Sequence, residues 1–254
     1  MVDLELLNIL FKETIPSSHE EHFQDMLEQY INAQELNVLR DLKNNIFVRT
    51  DEKSKTLFTA HTDDVSNYPV YDGIISSEIE GQTIHSVEPV SQREVLGADN
   101  KAGVYLLMKM IGSGIPGLYA FFVEEEINRL GSKYSLQQNP ELYKGIKRAV
   151  SFDRKGTADL IVTQKGEPCC SATFAKSLIK AFGQAMPEYP LKPANGVATD
   201  SLTFVSVIPE CTNISIGYAH AHSKQETLDL RYLGRLEEAV LKINWEILPT
   251  VRQF

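Results

Sequence analysis

The chain of 254 residues, 43% of them hydrophobic, is long enough to bury a sizeable core in one large domain or two small ones, and it contains no apolar run of about 18 residues that would predict a transmembrane helix. A formal net charge of −9 argues against a basic nucleic-acid-binding surface and fits an acidic surface or a site that gathers carboxylates around cations. The chain begins with acidic residues rather than the basic segment of a secretory signal. Its three cysteines have neither the spacing of a disulfide framework nor that of a zinc finger. We therefore expect a cytoplasmic protein with reduced thiols.

Helices and strands alternate along the first half of the chain. The second predicted helix begins at a capping box, because Ser17 and Ser18 are each followed three residues later by Glu. Residues 64–96 carry mixed turn and strand signals that are typical of an elaborated loop with a hairpin. The remaining patterns predict elements at 4–12 (helix), 17–33 (helix), 45–49 (strand), 56–60 (strand), 101–110 (helix) and 118–123 (strand).

The second half continues the same alternation. We predict a strand at 149–152, a helix at 171–184, a strand at 212–217 and a long helix at 226–246. The apolar strand at 118–123 is typical of a sheet that is covered on both faces. Since there is no internal repeat or linker, we expect one α/β domain spanning residues 1–254.

Polar candidate residues come at the ends of the predicted apolar strands. His61, Glu125, Glu126 and Asp153 each follow such a strand directly. In open α/β sheets, sites lie just beyond the carboxyl ends of the strands. The sequence therefore predicts that three strands deliver these side chains to one edge of a sheet.

His61 and Asp63 form the first candidate pair. A histidine that binds a metal needs an acceptor for its second ring nitrogen, commonly a carboxylate, and Asp63 lies two residues away on the same face of a strand. The ordinary alternative is a histidine and an aspartate in a loop. Further along, His222 is followed by Glu226, which would either orient it or begin the last helix.

Asp99 is the second candidate. It lies between Gly97 and Gly103, and small residues allow close approach of the backbone. Its position suggests a carboxylate shared by two metal ions. The alternative is that Asp99 caps the helix that follows, a role that Asn100 could also fill.

The acidic run Glu124–Glu126 is the third candidate. Such runs usually form a solvated turn. Here the run directly ends an apolar strand, where three carboxylates would repel one another unless cations were present. This placement favours a metal site.

Taken in order, these residues resemble the co-catalytic zinc peptidase clan, whose members are aminopeptidases, carboxypeptidases and acyl-amino-acid deacylases. The octet Leu96–Gly103 is especially similar to that of peptidase T-type tripeptide aminopeptidases, which carry a second Asp where this chain has Asn100. The resemblance implies a three-layer α/β core with a largely parallel or mixed central sheet covered by helices on both faces. The stretch between Asp153 and His222 is too short for the dimerisation domain that those tripeptidases insert there.

The resemblance also implies a role for each matching residue. Glu125 would be the general base and Asp63 would position the first metal ion, while Glu124 would lie outside the site. The implied ligands are His61 and Asp153 for the first ion, Glu126 and His222 for the second, and Asp99 for both. The candidate substrate contacts, with weaker support, are Arg154, Asp200, Tyr218 and His220.

These roles predict an exopeptidase that holds two divalent ions, most simply zinc, with cobalt or manganese as alternatives. The octet favours an aminopeptidase acting on a short peptide. Arg154 keeps a carboxypeptidase or an N-acyl-amino-acid deacylase open, because a free carboxylate needs a cationic partner. A binding protein that retains the fold without catalysis is a further alternative. No nucleic-acid or membrane partner is expected.

Overall fold

A mixed β-sheet flanked by helices organises the chain. The computed structural model describes residues 2–70, 77–80, 83–86 and 94–253. Its helices are α1 (Leu4–Leu10), α2 (Glu21–Asn32), α3 (Ala98–Gly112), α4 (Leu130–Gln138), α5 (Ala172–Ala185), α6 (Asp200–Thr203) and α7 (Leu230–Lys242), with 3₁₀ turns at Pro140–Tyr143 and Trp245–Ile247. The strands are β1 (Val38–Arg40), β2 (Ile46–Arg49), β3 (Thr56–His61), β4 (Ser77–Glu80), β5 (Thr83–Ser86), β6 (Leu118–Phe122), β7 (Arg148–Arg154), β8 (Asp159–Gln164), β9 (Glu167–Pro168), β10 (Lys192–Gly196), β11 (Glu210–Ser215), β12 (Tyr218–Ala219) and β13 (Thr227–Asp229).

The main sheet places its strands in the order β1-β2-β6-β3-β7-β11-β8-β10, with β9 paired to β8. Its centre is parallel, because β6, β3, β7 and β11 pair with one another in the same direction. Antiparallel pairing of β2 with β6 and of β8 with β11 makes the whole sheet mixed. A second, antiparallel sheet has the order β12-β13-β5-β4.

Side chains along the central strands alternate between two hydrophobic cores, one on each face. On β3, Phe58 and Ala60 face one core and Leu57 faces the other. On β6, Phe121 and Phe122 divide in the same way. Because α1, α3 and α7 contribute to the first core and α4 and α6 border the second, the predicted sheet with helices on both faces is confirmed.

Helix α3 lies unusually close to the sheet at Gly103. A Cβ atom there would come within 2.4 Å of the carbonyl oxygen of Phe152 and within 2.4 Å of the Asn100 Oδ1. The absence of a side chain therefore allows the start of α3 to pack against β7. No helix among the described segments is long and apolar enough to cross a membrane.

Several predicted boundaries were wrong for identifiable reasons. The capping box does not form, because the N-cap residue of α2, Glu20, makes no side-chain capping hydrogen bond. The last helix begins at Leu230 rather than Glu226, since Asp229 caps it by accepting a hydrogen bond from the amide of Tyr232 at 2.9 Å. Asp153 belongs to β7 instead of following it.

The predicted hairpin within 64–96 is confirmed by the antiparallel pairing of β4 with β5. The rest of that prediction, at residues 71–76, 81–82 and 87–93, lies outside the described residues.

Candidate metal centre

Three adjacent parallel strands bring the predicted ligands to one edge of the main sheet. His61 is the last residue of β3, and Asp153 is the next-to-last residue of β7. Glu125 and Glu126 come shortly after β6, whose final residue pairs with His61. The sequence-based prediction of a shared sheet edge is therefore confirmed.

Asp99 lies between two groups of potential ligands. Its Oδ1 is 3.1 Å from the Nε2 of His61, which is itself 3.3 Å from the Oδ1 of Asp153. The other oxygen of Asp99, Oδ2, is 3.3 Å from the Nε2 of His222, which is 2.8 Å from the Oε1 of Glu126. One carboxylate thus faces both groups, each with a histidine and a second acid.

These donors suit a divalent cation. The potential ligand atoms of His61, Asp99 and Asp153 lie within 4.8 Å of one another, and so do those of Asp99, Glu126 and His222. Imidazole and carboxylate together are the donor set of zinc and of related borderline ions. The side chains gathered at this edge of the sheet are therefore suitable ligands for a divalent metal ion.

The two histidines show that this edge of the sheet attracts positive charge. Hydrogen bonds to Asp99 and Glu126 raise the pKa of His222 to about 10. Burial by itself lowers the pKa of His61, but the facing carboxylate of Asp153 and its neighbours outweigh it and hold that pKa well above its usual value. A bound metal ion would balance the charge of the same carboxylates that now favour protonated histidines. Metal binding would therefore compete with protonation of His61 and His222.

Burial acts in the opposite sense on the acids of the site. It raises the pKa of Glu125, and the nearby Asp153 and Asp200 carboxylates add to that rise. Burial also raises the pKa of Asp153. A carboxyl group that holds a proton more strongly than usual is suited to general acid–base chemistry.

Asp63 contacts both the loop that carries Glu125 and Glu126 and the ring of His61. Its carboxylate accepts hydrogen bonds from the backbone amides of Glu125 at 2.9 Å and Glu126 at 3.1 Å. Its carbonyl oxygen is 3.0 Å from the Nδ1 of His61, whose other nitrogen faces the acids. The orienting contact is thus made mainly by the main chain of Asp63, since its Oδ1 is 3.5 Å from the same Nδ1.

The segment between α1 and α2 contacts this arrangement from the N-terminal side. The Ser17 hydroxyl donates to the Oδ2 of Asp63 at 2.6 Å, and the Ser18 hydroxyl donates to the Oε1 of Glu124 at 2.7 Å. Glu20 accepts from the amide of Glu124 at 2.9 Å. The residues of the predicted capping box therefore position the loops of the site, and the local sequence carries no signal of this long-range role.

The turn that carries Asp99 is held by a buried acid from a distant part of the chain. Glu226 accepts hydrogen bonds from the backbone amides of Gly97 and Asp99, both at 2.8 Å. Asn100 accepts from the amide of Gly103 at 3.0 Å, so it fills the capping role that was the alternative for Asp99. The peptide bond between Asp99 and Asn100 is cis. Glu226 lies before α7 and orients Asp99 through these backbone contacts.

Backbone and side-chain contacts also fix Asp153. The amide of Asp153 donates to the Oδ1 of Asn213 at 2.9 Å, and the Nδ2 of Asn213 donates back to the Asp153 carbonyl at 3.0 Å. The Thr199 hydroxyl donates to the Oδ2 of Asp153. Sequence reasoning missed Asn213 and Thr199, which become neighbours of Asp153 only through the parallel pairing of the sheet and the loop before α6.

The four predicted substrate contacts have different surroundings. The guanidinium of Arg154 forms an ion pair with Asp159, with two N–O distances of 2.9 Å. The Tyr218 hydroxyl donates to the Asp153 carbonyl at 3.1 Å, and His220 is exposed on the same side. Asp200 is buried and is absent from the cavity wall, which makes it a neighbour of the site rather than a substrate contact.

A cavity of about 420 Å³ opens at the candidate metal centre. Its described lining comprises the cluster residues His61, Asp99, Glu125, Glu126, Asp153 and His222, together with Arg154, Lys155, Ile161, Gly196, Val197, Ala198, Asn213, Tyr218, His220 and Ala221. A larger cavity of about 520 Å³ lies between α5 and the segment after α7, away from these acids. The smaller cavity is the one lined by the candidate metal ligands and Glu125, and its volume suits a small ligand.

No family model and no curated protein matches this sequence. Solved structures do match its fold. Aminopeptidase PepT from Bacillus cereus has a TM-score of 0.71 and 13% identity, over 97% of this chain and 98% of the other. A tripeptidase from Staphylococcus aureus has a TM-score of 0.71 and 16% identity, over 94% and 95%. The TET1 peptidase of Pyrococcus horikoshii has a TM-score of 0.67 and 16% identity, over 94% and 98%. The chain therefore has the fold of these peptidases, as its motifs implied.

Proposed function

We propose that this protein is a metal-dependent exopeptidase of the aminopeptidase type, which removes the first residue of a short peptide. The observation that supports this most directly is the position of Asp99, whose two oxygens face two separate histidine–carboxylate groups beside Glu125. The similar structures named as an aminopeptidase and a tripeptidase support the same chemistry.

Two divalent ions fit the proposal, and zinc is the first choice because of the mixed imidazole and carboxylate donors. His61, Asp99 and Asp153 would hold one ion, and Asp99, Glu126 and His222 would hold the other. When bound, such ions polarise the scissile carbonyl and make a water molecule acidic enough to ionise near neutral pH. Cobalt and manganese are the alternatives.

Glu125 is the proposed general base. Its amide is fixed by the Asp63 carboxylate, and its own carboxyl group lines the cavity. In its carboxylate form it takes a proton from the attacking water and passes it to the leaving nitrogen. A binding protein without catalysis would have no use for such a group, which makes that alternative weaker.

The octet Leu96–Gly103 and the pairing of Arg154 support an aminopeptidase. Arg154, which kept a carboxypeptidase or deacylase open, is paired with Asp159. We therefore place aminopeptidase activity first, and a carboxypeptidase or deacylase second.

We treat residues 1–254 as one catalytic domain in a cytoplasmic protein. The stretch between Asp153 and His222 adds β8, β10 and β11 to the main sheet, which supports the single-domain proposal. The expected partner is a small peptide substrate.

A substrate panel tests the proposal. Protein treated with a chelator is assayed with amino-acid amides, free di- and tripeptides and N-acetyl amino acids, before and after addition of zinc, cobalt or manganese. We expect metal-dependent release of N-terminal residues from peptides and amides. Cleavage confined to N-acetyl amino acids would favour the deacylase, and the absence of hydrolysis with every metal would refute the proposed function.

Glu125→Gln separates catalysis from metal binding. Since loss of a general base costs on the order of 100- to 10,000-fold in rate, we expect kcat to fall by at least about 100-fold while the bound metal content stays near that of the unmodified protein. Full activity in this variant would remove Glu125 from its proposed role.

A further inference from the structure

The two carboxylate oxygens of the candidate ligand Asp153 have different neighbours. The hydroxyl of Thr199, a buried residue, donates a hydrogen bond to Oδ2. The other oxygen, Oδ1, is 3.3 Å from the Nε2 of His61 and so faces the candidate site of the first ion. One oxygen is therefore engaged by the protein, and the other is directed towards the metal centre.

The main chain of Asp153 is fixed independently of Thr199. Its amide and its carbonyl are both hydrogen-bonded to the side chain of Asn213. The Tyr218 hydroxyl lies closer to the same carbonyl, at 3.1 Å, than to Oδ1, at 3.4 Å. These contacts hold the backbone, whereas the orientation of the carboxylate depends on the partners of its own oxygens. The Thr199 hydroxyl supplies such a partner at Oδ2.

Thr199 occupies a position at which a hydroxyl ordinarily serves the backbone. It is the N-cap residue of α6, and an N-cap threonine usually accepts a hydrogen bond from an amide of the first turn. Its side chain makes no such bond. Instead, the amide of Ser201 donates to the Ser151 hydroxyl oxygen at 3.2 Å, and the amide of Leu202 donates to the Thr199 carbonyl at 2.9 Å. Because other groups accept from these amides, the Thr199 hydroxyl is available to Asp153.

We propose that Thr199 is a positioning residue, which holds Asp153 as a one-oxygen ligand of the first metal ion with Oδ1 towards that ion. This proposal rests on the proposed metal-dependent function. A hydrogen bond to a ligating carboxylate fixes its orientation, and loss of such a partner typically costs about 10- to 100-fold in metal affinity or activity. Thr199 is absent from the described lining of the cavity, so its effect on the ion would pass through Asp153.

Zinc titrations against a chromophoric chelator test this role without a substrate. Thr199→Val removes the hydroxyl and nearly keeps the shape of the side chain. We expect one of two zinc equivalents to bind about 10- to 100-fold more weakly, while the other changes much less. Thr199→Ser, which restores a hydroxyl, should recover much of the lost affinity. The visible absorption of bound cobalt should change in Thr199→Val and return in Thr199→Ser, because it reports the arrangement of the ligands.

A double-mutant comparison tests whether Thr199 acts through Asp153. In a protein that carries Asp153→Ala, Thr199→Val should cause no further loss of zinc affinity. Thr212→Val is the matched control, because the buried Thr212 hydroxyl on β11 likewise donates one hydrogen bond, to the carbonyl of Ile161 at 2.8 Å. The control should destabilise the fold and leave both zinc affinities unchanged.

The outcomes distinguish this proposal from the proposed function. Unchanged zinc affinity in Thr199→Val, an equal loss in Thr212→Val, or a further loss beyond that of Asp153→Ala would overturn the proposal. Zinc binding that depends on Thr199 as expected, in a protein that hydrolyses none of the panel substrates, would refute the exopeptidase function alone. Failure of the unmodified protein to bind zinc, cobalt or manganese would refute both.

Discussion

Gly97 illustrates how one residue shapes the turn that presents Asp99. Its φ of +77° lies in the left-handed region, where a side chain is disfavoured. A Cβ atom there would also come within 2.4 Å of the Lys101 Nζ and 3.0 Å of the Asp64 Oδ2. These two groups form a buried ion pair at 3.2 Å, so the space next to Gly97 is occupied by charges that cannot move apart cheaply.

We predict that Gly97→Ala destabilises the protein more than its backbone conformation alone would explain. Gly114→Ala is the matched control, because Gly114 has a φ of +67° and nothing within 4 Å of an added Cβ. The control should cost about 1 to 2 kcal/mol of unfolding free energy. Gly97→Ala should cost at least about 2 kcal/mol more, since it displaces part of a buried ion pair. Equal losses in denaturant titrations would show that Lys101 rearranges without a penalty.

At the scale of elements, the segment between α1 and α2 acts as a support for the site. Ser17 donates to the same Asp63 carboxylate that accepts the amides of Glu125 and Glu126. Removing this hydroxyl leaves Asp63 with two backbone donors, so the protein should fold. The Asp63 carboxylate would then be less firmly oriented, and the proposed base would be less well positioned.

We therefore expect Ser17→Ala to lower kcat by about tenfold, which corresponds to the loss of one hydrogen bond to a charged group. KM and bound metal content should change much less, because Ser17 contacts neither the ligands nor the cavity. Ser113→Ala, at an exposed serine after α3, serves as the control. A tenfold loss that instead came with an equal loss of bound metal would show that Ser17 supports the ligands and not the base.

The elements also show which parts of the fold the sequence could predict. Strands β3, β6 and β7 have long buried runs, and the strong apolar pattern made them predictable. Strands β1 and β10 are partly exposed, and β9 and β12 have two residues each, so their patterns were too weak. The capping box failed because Ser17 and Ser18 bond to distant acids, a choice that no local pattern records.

For the whole molecule, the grouping of the candidate ligands was predictable and the contacts that support them were not. The order of histidines and acids along the chain indicated a shared site, and parallel strands bring those residues together at one sheet edge. Glu226 and Asn213 act through contacts across the fold that single-sequence patterns do not encode. These residues become neighbours of the site only through the sheet topology, which depends on the packing of the whole hydrophobic core.

The fold also buries acids outside the candidate metal centre, and this should make the stability of the protein depend on pH. Burial raises the pKa of Glu20 to about 7 from an ordinary value of 4.5, with the Asp63 charge adding to the rise. The folded state then binds more protons than the unfolded state between these two values, so stability falls as the pH rises through this window. The full effect of such a shift is up to about 3 kcal/mol above pH 7.

Glu20→Gln should remove this dependence, because the amide oxygen can still accept the hydrogen bond from Glu124 but does not ionise. In urea titrations with a chelator present, we expect the variant to match the unmodified protein near pH 5 and to exceed it by up to about 3 kcal/mol at pH 8. Glu21→Gln, at an exposed position one residue later, should show no such trend. A contrary result would be a difference in unfolding free energy between Glu20→Gln and the unmodified protein that stays constant from pH 5 to pH 8. That result would mean that Glu20 ionises in the folded state at its ordinary pKa. Burying Glu20 beneath the site would then cost no stability at neutral pH.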